Sequence, residues 1–338
     1  MKKLILLFSA VLCFAATSFA QQSGTTGNLD WRLNNTGELV INGMGKMPDY
    51  SYPDFAPWSH FSNIIYTVII EDGVTNIGNY AFYDHGRLFS IAIPLSVTHI
   101  GEVALGNCVA LTSIHIPESV TVIDNSAFHS CSNLTSVTLP SALKIIEWST
   151  FEGCSKLATV IIPESVTEIK RSAFKGCENL SYISIPSSVA GIEGDAFANC
   201  NHFMAFSVNK DNPYFSTING VLYNKDQTSL VCYPAGKLDK YFSVPNGVSA
   251  IEHHAFGTCN HLTSVIIPNS VTGIGDWAFS ECRNLTSIQM NCNNPPNLGE
   301  GAFSGVKKEN FVVYVPNHID KKLYASAKGW NQFRLISK

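Results

Sequence analysis

Charge is what this chain has least of. Only 14% of its 338 residues are Asp, Glu, Lys or Arg, where an average soluble domain carries about 25%. The few charges nearly cancel, leaving a net −4. That balance gives no electrostatic footprint for nucleic acid or for an anionic membrane. After the first twenty residues there is no apolar run long enough to span a bilayer as a helix. No C-x-x-C pair appears, so the cysteines do not spell a zinc site. H-E-x-x-H, G-x-S-x-G, a phosphate-cradling glycine loop and a paired-carboxylate motif are also missing. The sequence therefore signals no cofactor, no metal and no catalytic constellation.

What is present points elsewhere. Apolar residues make up 45% of the chain, which suits a folded protein and not a disordered one. Lys2 and Lys3 precede an apolar core, LILLFSAVLCFAA, and Ser18-Phe19-Ala20 places small residues at a cleavage site. Residues 1–20 are expected to be a signal peptide, so that the mature chain starts at Gln21 and is secreted or held in the cell envelope. Cys13 lies inside the segment to be removed.

The rest repeats itself. Residues 111–131 read LTSIHIPESVTVIDNSAFHSC, and residues 262–282 read LTSVIIPNSVTGIGDWAFSEC. Pro94, Pro117, Pro140, Pro163 and Pro186 stand 23 residues apart. Cysteines follow the same step at 108, 131, 154, 177 and 200, then at 259 and 282. A phenylalanine column runs through 82, 128, 151, 174, 197, 256 and 279, with Leu105 substituting once and Phe303 one residue late. A period in the twenties marks a solenoid of leucine-rich units. Within one unit, Leu111, Ile114 and Ile116 point inward from a short strand and His115 points out. Pro117 ends the strand because it has no N–H for the ladder. Val120, Ile123, Ala127, Phe128 and Cys131 return to the core. One unit cannot bury this apolar edge alone; copies stacked about 4.8 Å apart can.

Three segments break the period. Residues 21–63 carry a hairpin signal, WRL and ELVI around NNTG, then the aromatic plug PDFAPWSHF. They are expected to cap the N-terminal end of repeats spanning 64–208. Pro186 to Pro245 spans 59 residues, one period plus 36 extra. The extras include GVLY, NKDQ and TSLVCY, which predict a strand–turn–strand insert at 209–238 projecting from the array. Repeats resume over 239–309. In the C-terminal cap, 310–338, the strand FVVYVP leads to Asn317 as an N-cap for the helix IDKKLYASAKG, with Gly329 as its stop. Leu323, Ala327, Trp330 and Phe333 are expected to seal the core. The fold class is thus an α+β repeat protein: a solenoid with short parallel strands on one face, a β-hairpin cap and a helical cap.

The run L-x-S-I-x-I-P-x-S-V-T-x-I-x-x-x-A-F-x-x-C resembles the BspA-like leucine-rich repeat proteins of bacterial envelopes. GELVINGMGKMPDY with APW is similar to that family's leader, NPYFSTINGVLYNKDQTSLVCYP to its hairpin insert, and VYVPNHIDKKLYASAKGWNQF to its C-terminal cap. The resemblance covers essentially the whole mature chain. It implies a secreted or surface-attached protein of host-associated bacteria, and a role in adhesion or in binding host extracellular proteins. The chain departs from larger relatives in showing no evident anchoring domain.

Several residues invite chemistry. Nine cysteines follow the signal peptide. Neighbours in the column would lie within disulfide reach on distance alone, but buried free thiols filling a tight turn are the expectation adopted. His253 and His254 follow Glu252, yet adjacent side chains diverge, which suits a solvated leg. Asp195, Asp276 and Glu168 occupy variable slots where solvent-facing charge is expected. Asn133 and Asn284 match a glycosylation triplet, but the leucine in each begins a core strand. The outward strand slots are more informative. One slot per repeat gives Ile69, Ala92, His115, Thr138, Ile161, Ser184 and Ser207; the slot two residues earlier gives Thr67, Ser90, Ser113, Ser136, Thr159 and Tyr182. This face is small, hydroxyl-rich and nearly uncharged. It is either a solvated ladder of good β-formers or a shallow recognition surface with Ile161 and Tyr182 as apolar anchors. The insert, with Tyr214, Tyr223 and Tyr233, competes as a binding surface. The candidate partner is a host matrix or surface protein, or a glycan. A structural or adaptor role in the envelope is the main alternative; an enzyme with its site in the insert is a third.

Overall fold

In a computed structural model, which describes residues 20–337, the chain winds into one solenoid. The expected signal peptide lies outside the described residues, apart from Ala20. A regular turn contributes a strand of three or four residues and, in most cases after a proline, a two-residue strand. Ser113–His115, Ser136–Thr138 and Thr159–Ile161 pair in parallel on the first face. Ile145–Ile146, Glu168–Ile169 and Gly191–Ile192 pair in parallel on the second. A third, irregular leg closes the turn. Its backbone rungs are regular: Phe128 N–H donates to Thr150 O at 3.0 Å, and Phe151 N–H to Ala173 O at 2.9 Å.

The third leg turns sharply by placing two residues per repeat in the left-handed region. Ser126 and Ser130 do so at φ 56° and 59°, and Ser149 and Gly153 at 54° and 75°. Left-handed backbone costs an ordinary residue about 1–2 kcal/mol, and the first of these columns carries Tyr80, His254 and Trp277 as well as its serines. Val103, β-branched, sits there at φ 53°.

The core is a set of stacked columns. The Phe128 and Phe151 rings are 5.4 Å apart and 2° from parallel; Phe151 and Phe174 are 5.6 Å apart. Phe303, one residue late in the sequence, still stacks on Phe279 at 5.1 Å. The polar consensus positions tie one turn to the previous one. Ser119, Ser165 and Ser188 each donate to a backbone carbonyl 22 residues earlier, at 2.7, 2.6 and 2.7 Å. Asn133 and Asn284 donate to the carbonyls of Val109 and Asn260. These bonds satisfy backbone acceptors that the irregular leg would otherwise leave unpaired.

The caps follow the sequence with differences in detail. Leu29–Leu33 and Glu38–Gly43 form the expected antiparallel hairpin. A further strand, Gln22–Thr26, pairs with the first of them; its polar sequence, QSGTT, carries no apolar alternation that would announce it. Trp58 is buried, its indole donating to Ala81 O at 2.7 Å. At the other end Asn317 caps the helix His318–Ser326 through bonds from the Ile319 and Asp320 amides. The helix ends at Ser326, before Gly329, which occupies the turn that follows. Leu323 does not seal the core: it is exposed, and Tyr324 is the buried residue, donating to Cys292 O at 3.2 Å. One step around the helix exchanges the inward face for the outward one.

The insert is also not a projection. Phe215–Ile218, Val221–Asn224 and Ser229–Cys232 form an antiparallel sheet, and Ser229–Cys232 continues in parallel onto Ala250–Ile251. Its hairpin is a partition through the solenoid. Leu222 packs into the N-terminal core cluster, while Val221 and Tyr223 pack into the C-terminal one.

Candidate functional site

On the strand face the parallel register aligns His115, Thr138 and Ile161 in one column, all exposed. The sheet is interrupted after Thr159–Ile161; Tyr182–Ile185 begins the next one with Ala205–Val208. A shallow depression of about 520 Å³ lies at this seam, lined by Ile161, Ile162, Pro163, Tyr182, Ser184 and Pro186. Ile161 is 77% exposed and Tyr182 49% exposed. Alternation along each strand forces this: Val160 and Ile183 face the core, so their neighbours must face out. The structure thus brings together Ile161, Tyr182 and Ser184, with Thr138 and His115 on the adjoining rungs.

The insert tyrosines part company. Tyr214 is half exposed and does not line this depression. Tyr223 and Tyr233 are buried at 1% and 2% exposure, so their side chains are not available to a partner. Tyr233 has a structural task. Its ring stacks on Phe256 at 5.3 Å, in the phenylalanine column, and its backbone N–H donates to Ala255 O at 2.7 Å. Burial pushes the Tyr223 phenol up to about 12. A projecting insert would have left these rings free as interface anchors; the partition buries two of the three.

All nine cysteines from 108 to 292 are free thiols. Cys108, Cys131, Cys154 and Cys177 each donate to the carbonyl 26 residues earlier at 3.2 Å, and Cys200 at 3.1 Å. Burial pushes the Cys131 thiol up to about 12 and raises its neighbours likewise. Neutral, buried thiols are poor nucleophiles. His85 holds the first place in this column and is fully buried. Its Nδ1 faces Tyr83 O at 3.0 Å and its Nε2 has no partner.

Asp195 is not solvent-facing. It is 6% exposed and accepts from the Ser172 amide at 3.0 Å and hydroxyl at 2.8 Å, with Arg171 Nε at 3.6 Å. His253 is exposed, as expected, and lies 3.4 Å from Asp276. His254 is only partly so; its ring stacks on Trp277, 9° from parallel. These residues belong to a second concavity, where the insert interrupts the third leg. The 59-residue proline gap marks its place in the sequence, but not the fold of the residues around it.

Comparison with known proteins fits this architecture. A family model described as the BspA type leucine rich repeat region matches in six copies, over residues 59–180 and 232–327. No curated protein matches. Among solved structures, a leucine rich cell surface protein from Faecalibacterium prausnitzii is 28% identical, with a TM-score of 0.70 over 94% of each chain. The pneumococcal vaccine antigen PcpA shares the fold at 17% identity and a TM-score of 0.58, over 94% of this chain and 98% of that one. A leucine-rich repeat protein from Eubacterium ventriosum shares it at 22% identity and 0.57, over 89% and 80%. Among the described residues no helix is long and apolar enough to cross a membrane.

Proposed function

Because the chain belongs to the BspA type leucine rich repeat family, we propose that it is a non-enzymatic surface or secreted protein that binds another protein through its strand face. The depression at Ile161 and Tyr182 carries this reading. An isoleucine left 77% exposed in the middle of a hydroxyl-bearing ladder has no folding role on that side. Aromatic and aliphatic anchors in shallow depressions are what protein interfaces concentrate their energy on. The surrounding Thr138, Thr159 and Ser184 hydroxyls offer hydrogen bonds of either polarity at the rim. The similar protein of Faecalibacterium prausnitzii is described as a cell surface protein, which supports the same location here, with adhesion to a host matrix protein as the specific role.

The test is a binding screen of the mature protein against immobilised extracellular-matrix proteins. Saturable binding to at least one is expected. Ile161→Asp combined with Tyr182→Ala should weaken it by about 2 kcal/mol or more, while thermal melting shows the variant still folded. Binding unchanged in the double variant would move the site away from the strand face, and shortening the insert's turn at Asn224–Gln227 would then be the next variant to measure. Absence of binding to any matrix protein would favour an adaptor role within the envelope.

A further inference from the structure

Along the edge formed by the third legs, successive turns are tied by backbone rungs. Ser126 N–H donates to Trp148 O at 2.8 Å, Ser149 N–H to Arg171 O at 3.1 Å, and His254 N–H to Asp276 O at 3.0 Å. Between the turn at Asp195 and the turn at His254 this series stops. One junction earlier the Ser172 amide already turns to the Asp195 carboxylate, although Phe174 N–H still donates to Ala196 O at 2.8 Å; across the gap itself the Asn199 amide donates to the Thr258 hydroxyl at 3.0 Å. The legs still touch, since a Cβ on Gly194 would stand 2.6 Å from the His253 carbonyl oxygen. With the insert wedged between the flanking turns, the edge opens into a cleft of about 530 Å³.

The cleft has two kinds of lining. Ile192, Phe215 and Val231 supply an apolar part. Around it stand donors, Arg171 and His254, and acceptors, Glu193 and Glu252. The carboxylates are fixed from behind. Glu193 accepts from the Arg171 amide at 3.0 Å and lies 3.5 Å from Lys170; Glu252 accepts from the Ser229 hydroxyl. His254 is set at φ 55°, where the sister turns carry Ser126, Ser149 and Ser172 at 56°, 54° and 57°. Its ring is backed by Trp277 at a centroid distance of 6.3 Å. Burial lowers its pKa, so the imidazole is neutral near pH 7 and offers one donor and one acceptor.

We propose that this cleft binds one hexose unit of a neutral glycan. A sugar ring presents an apolar C–H face and a rim of hydroxyls, each both donor and acceptor. An apolar wall bordered by hydrogen-bond donors and by carboxylate acceptors held from behind matches that surface. The volume falls within the range of small-ligand clefts, about 300–1,000 Å³. Glu193, Asp195, Glu252 and Asp276 outnumber Arg171 in the lining and Lys170 behind Glu193, so a sugar carrying a carboxylate or sulfate is disfavoured. The site is separate from the strand face and does not depend on it.

Saturation-transfer NMR on the full mature protein tests the assignment. The probes are the methyl glycosides of glucose, galactose, mannose and N-acetylglucosamine, with methyl glucuronide as the anionic comparison. At least one neutral glycoside should receive saturation, and the glucuronide should not. His254→Ser reproduces the side chain that sister turns hold at the same backbone angle, so the fold is kept. It should weaken binding about tenfold or more, and Glu252→Gln should also reduce it. Ile161→Asp, on the strand face, should leave it unchanged. The proposal is overturned if no neutral glycoside binds, if the glucuronide binds equally well, or if both cleft variants bind as the wild type does.

Discussion

The turns between Leu105 and Cys200 and the insert that follows them meet the same requirements in different ways. In the regular turns one residue type answers one need almost every time, Leu105 in the ring column and Ala142 in the serine column being departures. A thiol meets the carbonyl 26 residues back, a serine hydroxyl meets the one 22 back, and rings stack 5.4–5.6 Å apart. In the insert, residues outside the repeat pattern do this work. Tyr233 takes the phenylalanine place above Phe256. Asn212, fully buried, donates to both Pro186 O and Val189 O at 2.7 and 3.0 Å and accepts from the Tyr214 and Phe215 amides at 2.8 Å each. Cys292 does a similar task for Pro268 and Val271 near the C-terminal end. The solenoid demands that each exposed backbone group and apolar edge of one turn be met by the next. It does not demand that one residue type meet it.

The sharpest test of that comparison is to remove one ring from each region. Phe151→Ala should cost about 3–5 kcal/mol, the usual range for an emptied aromatic core site. Tyr233→Ala should cost a similar amount, read by chemical denaturation. A loss below about 1 kcal/mol for Tyr233→Ala would make the insert a peripheral ornament rather than part of the stack.

The regular turns can be probed at the histidine that opens their cysteine column. Burial depresses the His85 pKa below its unfolded value near 6.5. The unfolded chain therefore binds a proton that the folded chain resists. The stability involved is complete above pH 6.5 and declines as pH falls from there towards the folded pKa. His85→Cys places the column's own residue at this site and should flatten that decline in a series of melting curves between pH 7 and pH 5. An unchanged acid slope would assign the sensitivity to other groups.

The smallest effect is expected where one repeat is corrected by its neighbours. Val103→Ser puts at φ 53° the residue that three later turns use. Relief of left-handed strain should raise stability by about 1 kcal/mol, partly offset by the lost contact of its methyl group. A clear loss would mean that the valine packs better than its backbone suggests.

Much of this was legible beforehand. The 23-residue step predicts the parallel ladders, and apolar alternation within each strand predicts that Ile161 and Tyr182 face out. Asn317 is recognisable as a cap because its side chain can serve amides two and three residues on. The insert was legible only as an interruption. Its strands carry turn signals on both sides, which predict a hairpin but not what the hairpin packs against. That is why Tyr223 and Tyr233 looked available and are not. Asp195 looked solvated because its partners, Ser172 and Arg171, lie one full turn away in sequence.

The sequence by itself determined the period, the direction each strand residue faces and the ends of the array. These depend on short-range geometry: strand alternation, the missing proline N–H and helix capping. Tertiary structure alone decided where the two core clusters divide, where the third-leg rungs stop and which charged groups meet across the resulting cleft. Those depend on contacts between residues 23 to 59 positions apart, as between Ser172 and Asp195 or Asn199 and Thr258. Such contacts exist only once neighbouring turns have stacked, because stacking, and not local preference, sets which groups come within hydrogen-bonding distance.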